Sequence, residues 1–317
     1  MVISPSGRIL QGIAGVPASI DNAPITGVCC GYWRWLTPTV AAGQRCDGES
    51  CRMIDEHGVN LEPNDPKGAN FFQAAGGRWA ASLGSNLRTN FGVSSPNAIP
   101  IASDCESGDI AILEDYNSGR GIKIYRANGQ TVSLPNVIVE FASDRTSLKN
   151  GLISWVESGS GPRIYDYLNG VEVPFVRLDA DWVIGCRTAA GIVILERTAA
   201  GSPRLRLAAS SLGHEIHEPA YTLDIRPIGS TVKIAWGRTQ GEEPGTVGSD
   251  VLNPDDLPHT PGNPTTGPAV LVVRDGTASP APVELANSVR EALGGEKFSL
   301  VLLIASVALA VWLVNRG

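Results

Sequence analysis

The chain has 317 residues and a formal net charge of −7, from 25 basic and 32 acidic side chains. That balance argues against a nucleic-acid surface, because phosphate binding needs clustered positive charge. With 36 Gly and 22 Pro, and apolar residues in short runs everywhere but the C-terminal end, the composition favours short strands joined by tight turns.

The opening stretch, Met1 to Val16, carries an early Arg8 but no continuous apolar run and no small-residue cleavage site, so no secretory signal is expected. Gly7-Arg-Ile-Leu10 is a short strand-like segment. Further on, Trp33 and Trp35 fall on one side of a strand with Arg34 on the other. Such a pair can stack on a sugar ring, but in a stacked-sheet protein it fills the space between sheets, and that role is expected here. Cys46 and Cys51, separated by Asp-Gly-Glu-Ser, suit a short hairpin closed by a disulfide in an oxidising compartment. Together with Cys29 and Cys30 they would supply four thiolates, although that vicinal pair is unlike the usual zinc knuckle; free thiols are the third reading. Cys105 and Cys186 sit in strand contexts and read as small buried hydrophobes.

Repetition decides the architecture. Gly108-Asp-Ile-Ala-Ile-Leu-Glu114 lies over Gly151-Leu-Ile-Ser-Trp-Val-Glu157, and the match continues through Lys123-Ile-Tyr125 with Arg163-Ile-Tyr165 and Asn128-Gly129 with Asn169-Gly170. A third copy begins at Gly191 and repeats the Pro-Arg-apolar step at Pro203-Arg204-Leu205. Weaker copies start near Gly31, Gly77 and Ser230. The six starts are about 40 residues apart on average, the length of a small four-stranded meander. Each Asn-Gly is expected to close a two-residue hairpin with positive φ at both positions. Residues 151–157 are apolar on both faces, as in a middle strand sandwiched between sheets, whereas residues 163–167 alternate like a strand with one wet face.

Residues 241–268 are dominated by Pro, Gly, Thr and Asp and read as linker; Ala269 to Val273 is a lone strand-like run, and the linker region extends to residue 282. Leu285, Val289, Ala292 and Leu293 then share one face of an expected amphipathic helix begun at Pro282 and stopped at Gly294. Residues 298–314 carry no charge and only Ser299 and Ser306 as polar interruptions. A helix there is apolar on every side and spans roughly 25 Å, near the lower limit for a bilayer core. Phe298, Leu302, Ile304, Leu309, Trp312 and Val314 are its candidate anchoring residues, toward a lipid bilayer or neighbouring hydrophobic helices.

The repeat length and strand plan resemble those of β-propellers, with no match to the marked repeat families. The resemblance implies an all-β propeller of about six four-stranded blades over residues 1–240, followed by a linker (241–282) and C-terminal α-helices (283–317). Repeats without enzyme motifs, an Arg-biased chain and a terminal hydrophobic segment together make a plan that resembles a bacteriophage virion protein such as a spike, tail or vertex component. That likeness implies cytoplasmic assembly, membrane attachment through the C-terminus, a homo-oligomer, and other virion proteins or a host-surface receptor as partners. A membrane-anchored propeller enzyme acting on glycans and a cellular tail-anchored scaffold are the rival readings.

No catalytic, cofactor or metal residue is assigned. His214-Glu-Ile-His217 lacks the spacing of a helical zinc motif, and no nucleophile elbow or phosphate loop is present. Asp104, Asp109, Asp144, Asp179 and Asp181 are the carboxylates a propeller enzyme would use, but each lies near an expected turn, where Asp is favoured by local hydrogen bonding. Asp179-Ala-Asp181 and Asn253-Pro-Asp-Asp256 supply oxygen ligands without calcium-loop spacing, and solvated turns are the expectation for both.

Overall fold

In five of the six repeats legible in the sequence the opening residues form second strands rather than first ones; the copy near Gly31 leads instead into a first strand, Arg34–Trp35. Gly108 and Gly151 sit at φ of +75° and +82°, a region glycine enters without steric cost, and each ends the tight turn that reverses the chain into its sheet's second strand. The computed structural model describes residues 1–12, 18–25, 33–47, 50–61, 71–83, 86–140, 145–238 and 247–258, which fall within a unit running from Met1 to Ala269.

Seven antiparallel sheets follow one another along the chain. The first holds β1 (Val2–Ile3), β2 (Ile9–Gln11), β3 (Ser19–Ile20) and β4 (Ala23–Pro24); the second β5 (Arg34–Trp35), β6 (Ala41–Asp47) and β7 (Ser50–Asp55). The third holds β8 (Phe71–Ala75), β9 (Arg78–Leu83), β10 (Asn86–Thr89) and β11 (Ser94–Ser95); the fourth β12 (Ile99–Asp104), β13 (Asp109–Asp115), β14 (Arg120–Tyr125) and β15 (Thr131–Ile138). The fifth holds β16 (Ser147–Lys149), β17 (Leu152–Glu157), β18 (Gly161–Asp166) and β19 (Val171–Glu172); the sixth β20 (Ala180–Thr188), β21 (Gly191–Thr198), β22 (Pro203–Leu207) and β23 (His214–Glu215). The seventh holds β24 (Thr222–Ile228), β25 (Thr231–Gly237) and β26 (Val247–Leu252). Each is a meander of nearest neighbours.

First strands of successive sheets pack side by side, β5 with β8, β8 with β12, β12 with β16, β16 with β20 and β20 with β24, and β24 returns to β1. The ring is completed between the first and second sheets by a shared cluster of Leu10, Ile20, Trp33, Trp35, Ala41 and Ile54. Apolar side chains alternate between neighbours: Ile225 and Ile234 pack toward the sixth sheet, whereas Ala235 joins Ile3 and Ile9 of the first. This is a seven-bladed β-propeller, in which every sheet buries both faces against its neighbours.

The sequence expectation of about six blades is therefore corrected to seven. The uncounted blade is the first, whose β1, β3 and β4 are two residues each, too short to show periodicity. Sheet residues also extend past residue 240: β26 lies inside the stretch read as linker and pairs with β25 from Gly237↔Val247 to Val232↔Leu252. The Asn-Gly turns differ as well. Gly129 and Gly170 have positive φ, but Asn128 and Asn169 do not, and Gly129 N donates to the Arg126 carbonyl in a wider turn. Positive φ at two successive non-glycine residues occurs at Asp21-Asn22 (51° and 66°), which joins β3 to β4. The C-terminal helices expected over 283–317 lie outside the described residues, as does the strand-like run 269–273; among the described residues, no helix is long and apolar enough to cross a membrane.

Candidate functional site

Because every first strand runs the same way round the ring, the two ends of the propeller are defined by connectivity. Turns from first to second and from third to fourth strands share one end, the turn end. Turns from second to third strands and the connections between sheets share the other, the crossover end.

At the turn end, five sheets send polar groups to the axis. Asp104 closes β12, Lys149 closes β16, Cys186 lies in β20, Asp224 and Arg226 lie in β24, and Ile3 closes β1. Arg226 Nη2 donates to Asp104 Oδ1 at 3.0 Å and to Cys105 Sγ at 3.3 Å; its Nε donates to the Ile3 carbonyl at 2.8 Å and its Nη1 to Glu106 Oε2 at 2.8 Å. Lys149 Nζ lies 2.8 Å from Asp224 Oδ1, and Asp224 Oδ2 accepts the Ile3 amide at 2.5 Å. Asn150 N donates to the second Asp104 oxygen at 3.0 Å. Asp104, Lys149, Asp224 and Arg226 are all buried, so two carboxylates and two cations compensate one another where an unpaired charge would cost several kcal/mol. Alternation along β24 makes this arrangement: Ile225 packs toward the sixth sheet, which turns Asp224 and Arg226 the other way.

Electrostatics follow from burial. Desolvation works against the Arg226 charge, but the neighbouring Cys105, Asp104 and Asp224 outweigh it and leave its pKa above the ordinary value. Burial raises the Cys105 thiol and pushes Cys186 up to about 12. Both therefore stay neutral, matching the expectation of small buried hydrophobes.

The carboxylates singled out in the sequence do not converge. Asp109 is spent on the Tyr167 hydroxyl at 2.8 Å and the Ala127 amide at 2.9 Å, tying the fourth sheet to the fifth; burial first, then the Asp109 charge, raises the Tyr167 phenol. Asp181 begins β20 at the crossover end, held by both Nε and Nη2 of Arg197, with Arg145 Nη1 3.5 Å away. Asp179 is exposed beside Arg204, and Asp144 lies outside the described residues. Asn253 caps a single 3-10 turn, Pro254–Asp256, by accepting the Asp255 amide. His214 Nε2 is 3.8 Å from Asp250, and no cluster of metal-ligating side chains occurs among the described residues.

Trp33 and Trp35 are fully buried, and Trp79, Trp155 and Trp236 nearly so, as expected for residues between sheets. Cys46 and Cys51 are opposite one another in the β6–β7 ladder, while Cys29, Cys30 and the anchoring residues Phe298, Leu302, Ile304, Leu309, Trp312 and Val314 lie outside the described residues. Sequence reasoning missed Lys149, Asp224 and Arg226, and also the fully buried Glu196–Arg206 pair, in which Arg206 Nε and Nη2 each donate at 2.9 Å. Arg206 additionally donates to the carbonyls of Val176 and Ser210, fixing the outer loops of the fifth and sixth sheets. Charged residues flanked by apolar ones inside a strand, as in Leu223-Asp-Ile-Arg226, were the available signal.

Three of the exposed large apolar side chains lie at the turn end of those two sheets. Leu168 and Val171 bracket the β18–β19 turn at 48% and 38% exposure, and Leu212 occupies the β22–β23 turn at 47%.

No family model matches the chain, and no curated protein matches it. Among solved structures, the computationally designed Ika8 protein is similar with a TM-score of 0.46 at 9% identity, covering 78% of this chain and 80% of that one. Hsv2 of Kluyveromyces lactis gives 0.42 at 10% identity over 68% and 82% of the two chains. BBS1N, solved in complex with ARL6DN, gives 0.43 at 10% identity over 78% and 88%. The assignment of seven blades stands on this chain's own strand pairing.

Proposed function

We propose that this propeller is a non-catalytic binding module that engages another protein through its turn end. The observation that carries the reading is the fate of the axial charges. Four ionisable side chains that could otherwise receive a substrate are buried and used up in joining the sheets, while Leu168, Val171 and Leu212 stand in water on outer-strand turns at the same end of the ring. Exposed apolar groups on adjacent rigid turns suit the buried centre of a protein interface. Residues 298–314 hold the module on a lipid bilayer or among hydrophobic helices of sibling chains, a reading supported by their uncharged sequence alone. In the setting favoured by that plan, the chain is a virion component that contacts a host-surface receptor or a neighbouring virion protein.

A photo-crosslinking residue placed at Leu168 or Leu212 of the full chain, in its native setting, is expected to trap one discrete protein, with Leu212→Asp abolishing capture from position 168 and Leu168→Asp abolishing capture from position 212. Absence of any adduct at both positions would overturn the binding face. Presence of the chain in purified particles supports the virion setting; fractionation with host membranes and absence from particles would overturn it.

A further inference from the structure

We propose that Cys46 and Cys51 form a reversible cross-strand redox pair that locks the tip of the β6–β7 hairpin. The ladder pairs Ala42 with Asp55, Gly43 with Ile54, Gln44 with Met53, Arg45 with Arg52, Cys46 with Cys51 and Asp47 with Ser50. Only two residues separate Asp47 from Ser50 in the sequence, so no further pair fits beyond them and Asp47–Ser50 must exchange both of its backbone hydrogen bonds. Antiparallel pairs alternate, which makes Cys46–Cys51 a non-hydrogen-bonded pair, the closer class, with Cα atoms about 4.5 Å apart. That separation is at the near end of the roughly 4.4–6.8 Å range that a disulfide spans.

Register alone places Cys46 and Cys51 one pair in from Asp47–Ser50, the last pair of the ladder, at the crossover end of the ring, so a covalent link between them would pin the end of the β6–β7 hairpin.

The chemistry is thiol–disulfide exchange with a small-molecule disulfide of the oxidised glutathione class. One protein thiol loses its proton and its thiolate attacks a glutathione sulfur, forming a mixed disulfide and expelling one glutathione thiolate. The second cysteine thiolate then attacks the protein-bound sulfur, forming the Cys46–Cys51 bond and expelling the second glutathione. Two protein thiols are oxidised, one disulfide is reduced to two thiols, and the two protons pass to the leaving thiolates.

The test uses the full chain equilibrated in glutathione buffers of increasing oxidised fraction, then acid-quenched, alkylated and digested with trypsin. Cleavage after Arg45 and Arg52 releases Cys46-Asp-Gly-Glu-Ser-Cys-Arg52 with both thiols on one peptide. As the oxidised fraction rises, this peptide is expected to lose both alkyl groups together and to appear two hydrogens lighter than its reduced form, reversibly with dithiothreitol. Cys51→Ser is expected to stop at a glutathione adduct on Cys46. Both cysteines staying fully alkylated at every ratio, a stable glutathione adduct on the wild-type peptide, or linkage to Cys29 or Cys30 would each overturn the pair.

Discussion

Replacing Arg226 with Met removes one cation from the axis while keeping an unbranched stem of similar reach. The structure sets the cost. Asp104, fully buried, keeps the Asn150 and Glu106 backbone amides but loses the cation paired with it; the Ile3 carbonyl loses the Arg226 Nε donor; and Glu106, about half exposed, returns to water. The dominant effect is the stranded Asp104 charge, since breaking a buried pair from one side costs about 3–5 kcal/mol. With a urea m-value of about 3 kcal/mol/M, the unfolding midpoint should fall by about 1–1.7 M. Tryptophan fluorescence reports it well, because the seven Trp include several that lie between sheets. Asp104→Asn in the Arg226→Met background should recover part of the loss, giving a coupling of about 0.5–3 kcal/mol. As a control, Arg8→Ala breaks the exposed Arg8–Asp21 pair and should cost about 0–1 kcal/mol. A midpoint shift for Arg226→Met no larger than that of Arg8→Ala, or strict additivity of the axial double variant, would refute the reasoning.

Gly43→Ala should destabilise by about 1–3 kcal/mol through overpacking, because its Cβ would lie 2.5 Å from Trp33 Cγ with Trp33 fully buried; an unchanged urea midpoint would contradict the packing between the first two sheets. Alkaline stability should reflect the axial thiols. Cys186 titrates at about 12 in the folded chain and near 8.5 when unfolded, so its contribution is fully present below pH 8.5 or so and is lost as pH rises toward 12. Stability should fall there by up to about 1.4 kcal/mol per pH unit from this group, with buried Tyr167 adding a decline of the same sign above its ordinary value. Urea midpoints from pH 8 to 11 should therefore slope less steeply for Cys186→Ala than for the wild type; equal slopes would contradict the assignment.

Much of the ring was legible because its middle sheets are built alike. Gly108 and Gly151 recur at the same turn for a backbone reason, and the apolar runs after them are second strands covered on both faces. The first sheet was not counted, since two-residue strands leave no period to detect and its tight turn is Asp21-Asn22 rather than Asn-Gly. A usable signal was present: Gly7, at φ of +83°, precedes Ile9-Leu10 as Gly108 precedes Ile110-Ala111. Residues 247–252 resembled linker because Gly248, Ser249 and Asp250 are poor strand formers, and pairing with β25 overrides that preference. The axial cluster was hidden for a different reason. Leu223-Asp-Ile-Arg226 reads as an outer strand with one wet face, yet β24 is innermost and its charged side meets charges from strands up to 122 residues away. Local pattern gives the alternation, but only closure of the ring decides whether the polar face meets water or other ions.

Direct determination of the full chain by crystallography or electron microscopy tests the central claim, that the ring has seven sheets closed by residues 1–4 against β24. The account predicts seven radial sheets, with the Ile3 amide within hydrogen-bonding distance of Asp224 and the Ile3 carbonyl accepting from Arg226. Six sheets around the axis, with the N-terminal residues paired elsewhere and Asp224 and Arg226 facing solvent, would contradict it.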